Sequence, residues 1–171
     1  MSKIEEGLKI LIQMGMPRAQ QNERSSLTLL AVTDMKKKDS WAKAQKRLIR
    51  IHDVLQFIEK YYHKKYAENS RETIRRQTLH QFEQGGIVER NSDDSKRSTN
   101  SPNTVYNITN EALEVIKRFN TASFEDAPKI FILKKGKLID RYEKKKTMNQ
   151  LKLITPNGKA IRFSPGKHNE L

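Results

Sequence analysis

The segment ENSRETIRRQTLHQFEQGG, Glu68 to Gly86, sets arginine, glutamine, histidine and threonine at spacings that gather hydrogen-bond donors on one side of a helix. Asn69 followed three residues later by Glu72 reads as a capping box, and Gly85 beyond Gln84 reads as a left-handed stop. A helix is therefore predicted from about 70 to 84. At about 100° per residue, Ile74, Thr78, Leu79 and Phe82 share an inward face, whereas Thr73, Arg76, Gln77 and His80 share the opposite one. From that outer face Arg76 can donate two bonds to guanine O6 and N7, and Gln77 can pair with adenine N6 and N7. Arg71 and Arg75 flank the apolar stripe, where a phosphate or a neighbouring acid is the natural partner rather than a base. The rival reading is a charged surface helix held by i,i+4 pairs such as Glu72 with Arg76.

Other chemistry is thinly supplied. The chain has no cysteine, which excludes zinc fingers, disulfide scaffolds and thiol nucleophiles and is compatible with a reducing compartment. His52, His63, His80 and His168 lack metalloprotease spacing or cysteine partners, so no metal site is expected. Asp126 with Glu143 and Lys145 imitates the D, then E-x-K order of a metal-dependent nuclease. Such a centre needs carboxylates converging from adjoining strands, whereas residues 140–146 read as a charged helix. No catalytic residue is assigned on this basis.

The elements that position the donor face follow from periodicity. Ile4, Leu8, Leu11 and Ile12 mark a lead-in helix ended by Gly15 and Pro17. A second helix is predicted from Arg18 to about Val32, with Gln20, Gln21, Asn22 and Arg24 as an exposed polar set and, with Arg18, as secondary DNA contacts. Met35 to Ser40 reads as a solvated loop, Ser40 as the cap of a short helix, and Trp41 as a core anchor. Residues 51–62 present a broad apolar helical face that should lie beneath the donor helix. After Gly86, IVER and TVYNIT read as two strands joined by a polar, turn-rich tip. Lys96, Arg97, Asn100 and Asn103 on that tip are assigned to the DNA backbone, together with Arg71 and Arg75. A helix begins near Asn110, and Ala127 and Pro128 mark a boundary.

The 171 residues suffice for one main domain. A net charge of +14 favours a polyanionic partner, a signature that ribosomal, tRNA-binding and DNA-binding proteins share. The charge is uneven: residues 1–128 carry net +5 and residues 129–171 carry net +9. The basic stretch contains LKLITPNGKAIRF, which reads as a second hairpin. Ser164 and Pro165 read as the start of a further helix, so the chain reads as a fragment. No apolar run reaches membrane-spanning length, and the N-terminus lacks a signal-peptide pattern, so a cytoplasmic protein without membrane contact is expected.

In this order, PRAQQNERSSLTLLA, SWAKA, NSRETIRRQTLHQFEQGGIVERN, RSTNSPNTVYNIT and SPGKHNEL resemble the N-terminal winged-helix region of the BsuBI/PstI family of type II restriction endonucleases. The resemblance implies recognition of a short palindromic duplex, CTGCAG in the members that name the family. It also implies Mg²⁺-dependent cleavage by a C-terminal PD-(D/E)XK domain, and this chain ends where that domain would start.

The expected architecture is mainly α with a small β-hairpin wing. A winged helix-turn-helix domain over 1–128 is followed by a basic linker region with a second hairpin over 129–171, leading to an absent nuclease domain. The expected function is sequence-specific binding of double-stranded DNA, with Thr73, Arg76, Gln77 and His80 toward the major groove. No cofactor is expected for this chain, Mg²⁺ being implied for the full-length nuclease, and a two-fold site would suit a homodimer of that enzyme. The alternatives are a stand-alone transcriptional regulator, which would need a dimerisation surface, and a basic RNA-binding protein, which would need exposed aromatics.

Overall fold

In the computed structural model, the residues described are 1–98, 101–122 and 124–134. The second predicted hairpin, the helix start at Ser164, Asn100, His168 and the Glu143/Lys145 pair lie outside them. The contact-defined unit that holds the described residues runs from Met1 to Lys135.

Helix α1 (Lys3–Gln13) is capped by the Ser2 hydroxyl, which accepts from the Glu5 amide, and α2 (Glu23–Val32) by the Asn22 side chain, which accepts from Ser25. Both caps satisfy amide groups that the first helical turn leaves without partners. The first helix is no mere lead-in. It packs along α2, and Ile10, Leu11 and Met14 are fully buried. The continuous helix expected from Arg18 is instead a short 3₁₀ turn, Arg18–Gln20, followed by a break. The physical reason is Asn22: its extended backbone and side-chain bond to Ser25 start a new helix rather than continue one.

A two-residue strand, β1 (Ile49–Arg50), leads into α3 (Ile51–Tyr62), whose Val54, Phe57, Ile58 and Tyr62 are buried. The donor helix follows as one composite rod: α4 (Ser70–Thr73), a π-helical stretch Ile74–Leu79, and α5 (His80–Gln84). Its ends differ from expectation. Asn69 has helical dihedrals and makes no side-chain cap, so the capping box is absent. Gly85 also remains in the right-handed region, and the left-handed residue is Gly86, at φ +76°. The chain turns there into β2 (Val88–Arg90), which pairs antiparallel with β3 (Val105–Ile108), Val88 opposite Ile108 and Arg90 opposite Tyr106. The other edge of β3 takes β1, Ile49 opposite Tyr106. The sheet order is β1-β3-β2, and β1 was not foreseen because two residues leave no periodicity to read.

Thr109 then caps α6 (Asn110–Lys117), accepting from Ala112, while its hydroxyl donates to the Gly86 carbonyl at 2.8 Å. The boundary expected at Ala127 and Pro128 falls inside a further helical stretch, residues 126–134. Ala127 and Phe131 are buried in the common core, so the apolar contacts carry the unit past that point. Trp41 is the expected anchor: its Nε1 donates to Glu6 at 3.1 Å and its ring meets Phe119 edge-on.

Candidate nucleic-acid interface

Ile74, Leu79 and Phe82 are completely buried, and each contributes about 1.5–3 kcal/mol by leaving water. They fasten the composite helix by one side only. The π-helical stretch adds a residue to its turn, and Thr78 and Leu79 are both inside. Arg75 is half-buried, while Arg76, Gln77 and His80 are exposed. The predicted division between apolar and donor faces is present, with Thr73 half-buried at its margin.

The donors are not idle. Glu72 Oε2 lies 2.9 Å from Arg75 Nη2 and 3.0 Å from Arg76 Nε, so one carboxylate holds two guanidinium groups. The i,i+4 pair of the rival reading therefore exists, yet the Arg76 side chain is 75% exposed and its partner 57%. A pair so open to solvent is worth little and yields readily to a phosphate or base. Arg71 lies 3.3 Å from Glu68 and 2.8 Å from His52 Nδ1, which ties the start of the helix to α3.

The polar set ahead of α2 divides. Gln20 is buried at 7% exposure, and its Oε1 accepts from the Ser25 hydroxyl, so it is not the exposed contact expected. Asn22 is spent on the cap, and Gln21 donates to the Met16 carbonyl. Arg18 is exposed. Arg24 crosses to the composite helix, its Nε donating to Thr78 Oγ1 at 3.1 Å and its Nη2 to Gln77 Oε1 at 3.4 Å. Sequence periodicity carried no sign of this contact, since the two residues are far apart in the chain.

At the hairpin, Asn91 occupies the left-handed region, φ 52°, and its Oδ1 accepts from both the Val105 amide and Arg97 Nη1. Arg97 also closes on Asp93, which leaves it a brace of the loop as well as a surface charge. That hydrogen bond, ahead of the Coulomb attraction, holds the Asp93 carboxyl below its usual range. Lys96 and Asn103 are exposed. Asn91 was missed in the sequence, although an asparagine directly after a strand is a position that tolerates φ > 0.

The exposed side of the composite helix is rich in donors, and comparison gives the chain a lineage. Residues 1–140 match the family described as the BsuBI/PstI restriction endonuclease HTH domain. The chain belongs to that family. Among BsuBI/PstI relatives, it is 40% identical to the type II restriction enzyme BsuBI of Bacillus subtilis, over 99% of this chain and 54% of that one. It is 25% identical to the type II restriction enzyme AplI of Arthrospira platensis, over 94% and 49% respectively. The SdaI restriction endonuclease structure superposes with a TM-score of 0.74 at 31% identity, covering 77% of this chain and 41% of that one. The chain spans about half the length of the curated relatives it matches. Among the described residues, no group of three His, Asp or Glu side chains is placed to hold a metal ion, and no helix is long and apolar enough to cross a membrane.

Proposed function

We propose that this chain binds double-stranded DNA sequence-specifically, as the recognition part of a type II restriction endonuclease. The observation that carries the reading is the exposed row Arg76, Gln77 and His80 on a helix fastened from one side and followed directly by a hairpin. A helix followed by a two-strand wing is the winged-helix arrangement. In it the helix enters the major groove and the wing meets backbone. Thr73, Arg76, Gln77 and His80 are assigned to base edges, and Arg71, Arg75, Lys96, Arg97 and Asn103 to phosphates. Arg18 and Arg24 extend the positive surface at the start of α2.

The domain limits are proposed as the unit that includes Phe131 plus the basic residues after it. A palindrome resembling CTGCAG, a cytoplasmic setting, a homodimer and Mg²⁺-dependent cleavage are proposed for the longer enzyme. The described residues do not fit a metal site, so no metal-dependent step is derived from them. The test is a salt titration on a random duplex and on one containing CTGCAG. The log–log slope should steepen by about 0.9 for each phosphate neutralised, and the CTGCAG duplex should bind more tightly. Salt-insensitive binding would refute the DNA reading, and equal affinity for both duplexes would refute the proposed site.

A further inference from the structure

Gln77 is the residue of the exposed row whose base preference is least obvious, because a carboxamide offers an acceptor and donors on the same plane. To read adenine it must use both: Oε1 accepts from N6 while Nε2 donates to N7. In this chain the acceptor is engaged. Arg24 Nη2 donates to Gln77 Oε1 at 3.4 Å, and the same guanidinium is anchored through Nε to Thr78 Oγ1 at 3.1 Å. Thr78 is completely buried, so the anchor is fixed to the core rather than to a mobile surface group. With Oε1 held by Arg24, the amide nitrogen is the atom of this exposed side chain left without that constraint. Gln77 then leads with its donors, its oxygen being held to one side by Arg24.

We propose that Arg24 is a positioning residue that sets the base specificity of Gln77, so that Gln77 reads guanine rather than adenine. Guanine shows two acceptors, O6 and N7, on its major-groove edge, whereas adenine shows one acceptor and one donor. An amide that leads with its donors matches guanine and leaves adenine N6 without a partner. Neighbouring Arg76 is a pure donor, so the two adjacent exposed residues suit a guanine-bearing edge. Removing the Arg24 guanidinium frees Oε1, and the same glutamine regains the adenine pattern. This assignment rests on the sequence-specific DNA reading above.

Binding-site selection from a pool of randomised duplexes separates the two. Using the full chain, the position that loses its preference in Gln77→Ala identifies where Gln77 reads. The wild type should select guanine there. Arg24→Ala should move that position to adenine by about five-fold or more, the low end of what a bidentate contact discriminates. Its thermal midpoint should change much less, and the affinity lost with one positive charge should fall evenly on random duplex and leave the shift in base preference as the distinguishing readout. Arg24→Leu, which keeps an apolar stem against the helix, serves if the alanine variant folds poorly. Adenine in the wild-type site would overturn the inference. So would an Arg24 variant that loses affinity evenly and keeps guanine, since that is what a merely structural or phosphate-binding arginine would show. A pool that yields no preferred site at all would overturn the sequence-reading proposal and this inference with it. A site selected by the wild type but unmoved by Arg24 would overturn the inference alone.

Discussion

Arg97 closes on Asp93 with two parallel bonds, Nη1 to Oδ1 at 2.8 Å and Nη2 to Oδ2 at 3.0 Å. The fork geometry makes this the strongest form of an exposed ion pair, and Arg97 reaches Asn91 as well, at 3.0 Å. The clamp spans one turn of the hairpin tip and so orders the loop that is proposed to meet DNA.

Its pH dependence has a definite sign. The Asp93 carboxyl is lowered, first by the Arg97 hydrogen bond, so the clamp is fully present above the ordinary aspartate range, about 3.9. It is lost only as the pH falls through the lower folded value. Protection factors for amide hydrogen exchange across residues 91–98, each referred to the intrinsic rate at that pH, should therefore fall on acidification below that range. Asp93→Asn should show the lower protection already at neutral pH. Equal protection in the variant and the wild type would mean that the clamp does not order the tip.

A second expected outcome concerns α1 against α2. A Cβ built on Gly7 would fall inside contact distance of Ser26 Oγ, and that hydroxyl is committed to the Ile4 carbonyl. Helix propensity favours Gly7→Ala by about 1 kcal/mol, but overpacking a filled interface costs about 1–3 kcal/mol. Overpacking wins because Ser26 is completely buried and cannot swing into solvent. Denaturant unfolding should show a net loss of up to about 2 kcal/mol. In a Ser26→Ala background the same substitution should be neutral or stabilising; an undiminished loss there would place the strain elsewhere.

The contrast between helix interiors and helix ends explains what the sequence could reveal. The inward set Ile74, Thr78, Leu79 and Phe82 was legible because burial imposes a period, and all four are buried. Likewise, α3 emerges over the residues that its apolar face marks. Ends depend on single dihedrals, which composition does not encode. Asn69 failed as a cap and Gly86 rather than Gly85 took the left-handed turn. The break at Asn22 was hidden because asparagine serves equally on a helix surface and at a cap. Pairings between distant segments, Arg24 with Gln77 and β1 with β3, leave no local trace at all. Pro128 sits in the first turn of a helical stretch, and proline is as natural there as in a linker, so the residue alone does not tell the two apart.

Glu72 offers a test of whether the composite helix faces DNA. Its carboxylate holds Arg75 and Arg76 together and places a negative charge beside the proposed phosphate path. Glu72→Gln should remove this carboxylate from both guanidinium groups and raise affinity for random duplex. The log–log salt slope should steepen by about 0.9 for each additional phosphate contact. Stability should change little, because Glu72 and Arg76 are largely exposed. Unchanged affinity and slope would mean that this face of the helix lies away from DNA.

Gln77→Glu tests the outward atom itself. The inner carboxylate oxygen would keep Arg24, now as a charge-assisted bond, so the side chain should hold its direction. The outward group changes from donor to acceptor. An acceptor is repelled by guanine O6 and N7 and matched by the N4 donor of cytosine. Binding-site selection should therefore move the Gln77 position from guanine to cytosine, with affinity for random duplex reduced by the added negative charge. Retention of guanine by Gln77→Glu would show that this side chain does not face a base, and the preference would then have to be reassigned to Arg76 or His80.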